Sequence, residues 1–101
     1  VIHNINHSLN SFDANFNITI ENLVIDGNKE GQTLSPSSCI RLVGVTNAII
    51  KNVKLYNCHD QALDLAYDKN MFISNIFIDT VGRNGIFIGY SSRNIVLNNF
   101  I

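Results

Sequence analysis

The densest group of reactive side chains lies between residues 59 and 68: His59, Asp60, Asp64, Tyr67 and Asp68. Two arginines are tied to it by one separation. Arg41 precedes Asp64 by 23 residues, and Arg83 follows Asp60 by 23. Tyr67 and Tyr90 are also 23 apart. His, Asp and Tyr are side chains that move protons in general acid–base catalysis. Arg grips anionic groups through paired hydrogen bonds. In such a site His59 suits the base, Tyr67 the acid, and Arg41 or Arg83 the anion holder. The plainer reading of the same pairs is a set of surface ion pairs, which stabilise little when exposed, and a simple ladder of tyrosines.

Groups so far apart in sequence act together only if the chain returns to the same place at a fixed period. Residues 47–55 read Asn-Ala-Ile-Ile-Lys-Asn-Val-Lys-Leu, and the pattern recurs at 17–25, 70–78 and 94–101. Its inner asparagines, Asn22, Asn52, Asn75 and Asn99, are separated by 30, 23 and 24 residues. A period of this size marks a solenoid. Apolar residues occupy alternate positions with one phase shift at the asparagine, as in Ile18, Ile20, then Leu23, Ile25. That pattern predicts two short strands meeting at a corner, with asparagine there because it tolerates the left-handed region. Stacked about 4.8 Å apart, the amides should form a ladder. A third strand recurs at Ile40-Arg41-Leu42, Leu63-Asp64-Leu65 and Ile86-Phe87-Ile88. The expected architecture is all-β: a parallel solenoid of about four coils with three strands each, filled by aliphatic columns. Residues 1–16 form an irregular first coil and 17–101 the regular coils. Arg41, Asp64 and Phe87 should point outward in one column. The outward column Thr19, Ile49, Phe72, Val96 is largely apolar and implies a cover, so these residues suit a homotrimer contact.

With 16 Asn and 15 Ile but one Pro, the composition fits strands punctuated by turns. The net charge is −1 and no basic run occurs, so nucleic-acid binding has no electrostatic footprint. No apolar run approaches membrane-spanning length. The sequence starts without Met and stops within a repeat, as expected of a fragment of a longer solenoid. The polar stretch from Asp26 to Ser38, with Gly31 and Pro36, accounts for the long first period. Cys39 and Cys58 match no metal spacing and are expected to be free thiols. His3 and His7 lie four apart on no expected helix, and no metal is assigned to them. Asp26, Asp68 and Asp79 are candidates for a calcium site, but no ligand spacing supports one, so no cofactor is expected.

The three-strand coil, the asparagine corner and the repeated Asn-x-x-Ile-x-Asn-hydrophobic-x-Ile pattern over residues 17–101 resemble the right-handed parallel β-helix of the pectin-lyase-like superfamily. That superfamily holds polysaccharide lyases, glycoside hydrolases, uronan epimerases and phage tailspike proteins. The resemblance implies a polysaccharide partner lying across the outer face of the Arg41–Asp64–Phe87 strand, in an extracellular or virion setting. It implies catalytic work for His59, Asp60 and Asp64. Substrate contacts then fall to Arg41, Tyr67, Arg83, Asn84, Phe87 and Tyr90. Polygalacturonase-like hydrolases carry Gly-Asp-Asp and, one coil on, Gly-His-Gly. Here His59-Asp60-Gln61 and Arg83-Asn84-Gly85 stand in those places. Inverting hydrolysis needs two carboxyls, so the loss of the second Asp and of the His argues against that family's chemistry here. Lyase and other hydrolase chemistry stay open, beside a non-catalytic glycan-binding shaft of a trimeric tailspike.

Overall fold

The computed structural model describes residues 2–31, 37–90 and 92–100. Val1, residues 32–36 of the polar loop with Pro36, and Ile101 of an outward column lie outside them, as do the side chains of Asn99 and Phe100. The chain runs through β1 (Ile2–His3), β2 (Asn15–Asp26), β3 (Ile40–Val43), β4 (Val45–Cys58), β5 (Leu63–Ala66), β6 (Lys69–Val81), β7 (Ile86–Gly89) and β8 (Arg93–Phe100). Short strands stack in the order β1-β3-β5-β7 and long ones in the order β2-β4-β6-β8, all parallel. Each coil contributes one short and one long strand, so the molecule is a parallel β-helix of four coils.

Each long strand contains two of the three strands expected per coil, joined without a break in the ladder. The joint is the asparagine corner. Asn22, Asn52 and Asn75 adopt φ of 55°, 53° and 54°, and the pairing passes from Glu21↔Lys51 to Leu23↔Val53 over the asparagine between them. Their amides stack: Asn52 Nδ2 donates to Asn22 Oδ1 at 3.0 Å, and Asn75 Nδ2 to Asn52 Oδ1 at 2.7 Å. A second file, Asn17, Asn47, Asn70 and Asn94, is also left-handed and hydrogen-bonded rung to rung at 3.1–3.4 Å. An L-residue other than Asn or Gly loses about 1–2 kcal/mol in this region. Asn52→Ala is therefore expected to lower the unfolding free energy by about 1–2 kcal/mol, and Asn52→Gly by less. Urea titration checks the order; equal losses in the two variants would put the cost in the ladder rather than in the backbone.

The expected inward columns hold in register. Ile20 pairs with Ile50 and Ile50 with Ile73; Ile40 pairs with Leu63 and Leu63 with Ile86. Ile40, Ile50, Leu55, Leu63, Leu65 and Ile73 are fully buried. Ile88 and Leu97, on the last coil, are exposed because no further rung stacks on them among the described residues. The column Ile49, Phe72, Val96 stands on the outside with 42, 43 and 51 % of each residue exposed.

One expectation is corrected. Cys39 and Cys58 are not free thiols but a disulfide, with Cα atoms 5.5 Å apart, inside the range a disulfide spans. Their separation of 19 is short of the coil period, so column reasoning never brought them together. The corner that closes the coil does, and both are fully buried there. Gly27 makes room: a Cβ on it would lie 2.8 Å from Cys39 Sγ and 2.8 Å from Cys58 Cα. The calcium candidates, in turn, are scattered. Asp26 and Asp79 share a column through Tyr56, two rungs apart, and both are exposed. Asp68 is buried beside a different corner, where its Oδ1 accepts from the Val45 N–H. Among the described residues no three acidic, His or Cys side chains converge.

Candidate functional site

The short-strand sheet presents the outward column as expected. Arg41 pairs with Asp64 and Asp64 with Phe87. The register also extends the column one rung earlier, where His3 pairs with Arg41. Alternation could have shown this, since Ile2-His3 repeats the inward–outward phase of Ile40-Arg41. The separation of 38 residues, stretched by the polar loop, hid it.

Turns on both sides of this sheet raise walls, and a groove of about 370 Å³ runs between them. One wall holds Asp60, Gln61, Arg83 and Asn84, where Asn84 N–H donates to Gln61 Oε1 at 3.4 Å. The other holds Tyr67 and Tyr90. Asn10, on the N-terminal loop, also lines it; as a loop residue it carries no periodic signal. Arg41, Asp60, Asp64, Tyr67, Arg83, Asn84, Phe87 and Tyr90 thus all line one groove. His59 does not line it. Its half-buried ring lies on the corner before Asp60, with Nδ1 unpartnered among the described residues.

The tyrosine wall is built at a backbone cost. Gly44, Tyr67 and Tyr90 fall in one file after the short strands, with φ of 74°, 55° and 54°. Glycine suits this corner, and a bulky residue there is uncommon enough to point to a use for the side chain. Gly44 is itself required: a Cβ would collide with the Ser11 carbonyl oxygen, because the N-terminal loop crosses here. One and two rungs on, the tyrosine rings stack at 5.4 Å with 9° between their planes. Phe12 meets Tyr67 edge-on at 5.7 Å, and the Arg93 guanidinium lies over Phe12 at 4.5 Å. The N-terminal loop therefore buttresses the rings.

The carboxyls and arginines pair as their spacing predicts. Arg83 Nε lies 3.4 Å from Asp60 Oδ1, and Arg41 Nη1 lies 3.9 Å from Asp64 Oδ2. Arg83 is largely exposed, so this pair adds little stability. The groove walls exclude water from Asp64 and push its pKa above the usual carboxylate range. Arg41 opposes that rise and the Asp60 charge adds to it; the Ser38 hydrogen bond and Arg83 oppose it more weakly. A carboxyl that keeps its proton to higher pH, beside a second carboxyl, is an arrangement that can donate a proton to a bound ether oxygen.

The family model described as "Right handed beta helix region" matches residues 8–101, and gives the solenoid the hand expected from the sequence. No curated protein and no solved structure matches the chain significantly.

Proposed function

Because the chain belongs to the right-handed β-helix family, we propose that its grooved face binds a polysaccharide strand along the helix axis and cleaves it. The observation that carries the proposal is the pairing of an aromatic wall with a half-buried, proton-retaining carboxyl in one groove. Stacked tyrosines offer apolar ring surface to sugar rings, with hydroxyls at the rim. Asp64 gives its proton to the glycosidic oxygen as the carbon–oxygen bond breaks. A water attacks the sugar carbon and loses its proton to Asp60. Two carboxyls in these roles are the ordinary equipment for glycoside hydrolysis. The position of His59 outside the groove favours hydrolysis over elimination, for which it was the expected base. A buried disulfide suits an oxidising setting, in keeping with an extracellular or virion-borne protein.

A second reading, a non-catalytic glycan-binding shaft that assembles as a homotrimer, is favoured by the exposed column Ile49, Phe72, Val96. One set of measurements separates the two. Reducing ends released from polysaccharides are expected to fall about 100-fold in Asp64→Asn, with binding kept and the protein monomeric by sedimentation. Binding without release in the unsubstituted protein, together with a trimer, would instead establish the shaft.

A further inference from the structure

One rung before Arg41, which lines the groove, stand two imidazoles that do not line it and have no assigned task, His3 and His7. His3 stands directly before Arg41 in the outward column. A tight turn then brings His7 back over His3: His7 N–H donates to the Asn4 carbonyl at 3.1 Å. The turn is pinned from inside. Buried Asn4 donates through Nδ2 to the Val43 carbonyl at 2.8 Å and accepts from the Val43 N–H at 2.9 Å. As a result the two imidazoles stack at 3.9 Å with 25° between their planes. His3 Nδ1 lies 3.3 Å from the Asn4 carbonyl oxygen, which directs Nε2 away from the turn. Arg41 has a buried Nε with no hydrogen-bond partner among the described residues.

We infer that His3, His7 and Arg41 form an anion-binding subsite that receives a carboxylate or sulfate carried by the polysaccharide. This rests on the polysaccharide reading and names its substrate class as acidic. The geometry is prepared before binding, since the turn is clamped to β3, so little ordering is needed when an anion arrives. Electrostatics agree. His7 is held below the usual imidazole range by desolvation first, then by His3 and by Arg41. Three groups that repel one another when protonated are relieved by an anion among them. Asp64, one rung beyond Arg41, is the nearest acid in the column, and its side chain already faces Arg41. The column thus sets a direction, with the anionic substituent about two strand spacings, roughly 10 Å, from the proton donor.

The test follows the histidine ring resonances of the protein by NMR over a pH series. The probes are a galacturonate oligomer, a sulfated galactan oligomer and a neutral galactan oligomer of equal length, with free galacturonate alongside. At least one anionic oligomer is expected to raise the His7 pKa by about one unit and to bind about tenfold more tightly than the neutral one. His3→Gln with His7→Gln should remove that tenfold preference. Whichever anionic oligomer binds more tightly identifies carboxylate or sulfate as the source. Equal binding of all three oligomers with unmoved histidines would overturn the subsite and leave the polysaccharide reading standing. Free galacturonate moving His7 while no oligomer binds would keep the subsite and remove the polysaccharide. Histidines unmoved by every anion overturn the subsite whatever the variants do.

Discussion

Between about pH 4 and pH 8 the protein is expected to lose up to about 4 kcal/mol of unfolding free energy through one carboxyl. Asp68 has no exposed surface. Burial pushes its pKa from 3.8 to about 7; the Val45, Ala66 and Gly44 backbone groups oppose the shift, and the Asp64 charge adds to it. The closest restraint on the charged form is the Val45 N–H, which donates to Oδ1 at 2.7 Å. Oδ2 has no partner among the described residues. The folded state therefore holds this proton where the unfolded chain has released it. Below pH 3.8 both states are protonated and Asp68 costs nothing. As pH rises from 3.8 to about 7 the unfolded chain ionises first and stability falls. Above about 7 both are ionised and the loss is constant. Asn has nearly the shape of the protonated acid and does not titrate. Urea midpoints for Asp68→Asn should converge with those of the unsubstituted protein near pH 4 and exceed them increasingly toward pH 8. Asp13 and Asp26 are held below the usual range, by the Thr46 hydroxyl and the Asn28 N–H in first place. They pull the other way with pH, but their effect cancels in the difference between the two proteins. Parallel curves would place the Asp68 charge in contact with water and refute the account.

Asp68 also marks where the sequence stopped being legible. Repetition made the rungs readable, because each column samples one environment several times. Ile20, Ile50 and Ile73 announce an interior, and the left-handed asparagines announce corners, without any coordinates. The outward column Arg41, Asp64, Phe87 came from the same argument, as did the pairing of Tyr67 with Tyr90. Features that occur once have no column to average over. Asp68 follows a tyrosine at a corner and looks like a surface acid; only the packing shows that it lies beneath the next rung. The Asn4 clamp, the return of His7 over His3, and Asn10 in the groove's lining all belong to the first loop, which repeats nothing. His59 shows the converse failure. Its neighbour Asp60 reaches the groove, and one residue of offset at a tight corner is enough to leave the imidazole outside.

The cysteines are the clearest such case, and removing their bond should have the second of the two large effects. Cys39→Ser with Cys58→Ser, or reduction of the unsubstituted protein, is expected to cost about 3 kcal/mol, the loss of closure entropy for a loop of this size. For a chain of this length that lowers the melting temperature by roughly 12–24 °C. The bond closes a ring from the start of β3 to the end of β4. That ring is most of one coil, and β4 is paired on both sides, with β2 and β6. A β-helix rung gains its contacts only when the chain has gone all the way round, so its closure is costly and slow to be rewarded. The covalent link supplies that closure in the unfolded chain. It also sets the groove, because Arg41 lies two residues after Cys39 and Asp60 two residues after Cys58. The melting shift should therefore be accompanied by weaker binding at the groove, even with both serines buried. Thermal denaturation with and without reductant, and alkylation before and after unfolding, measure the two parts. Both sulfurs are sealed in the native state, so reductant should act on the unfolded chain far faster than on the folded one. An unchanged melting temperature after complete reduction would mean that the packing around Gly27 alone holds the coil shut.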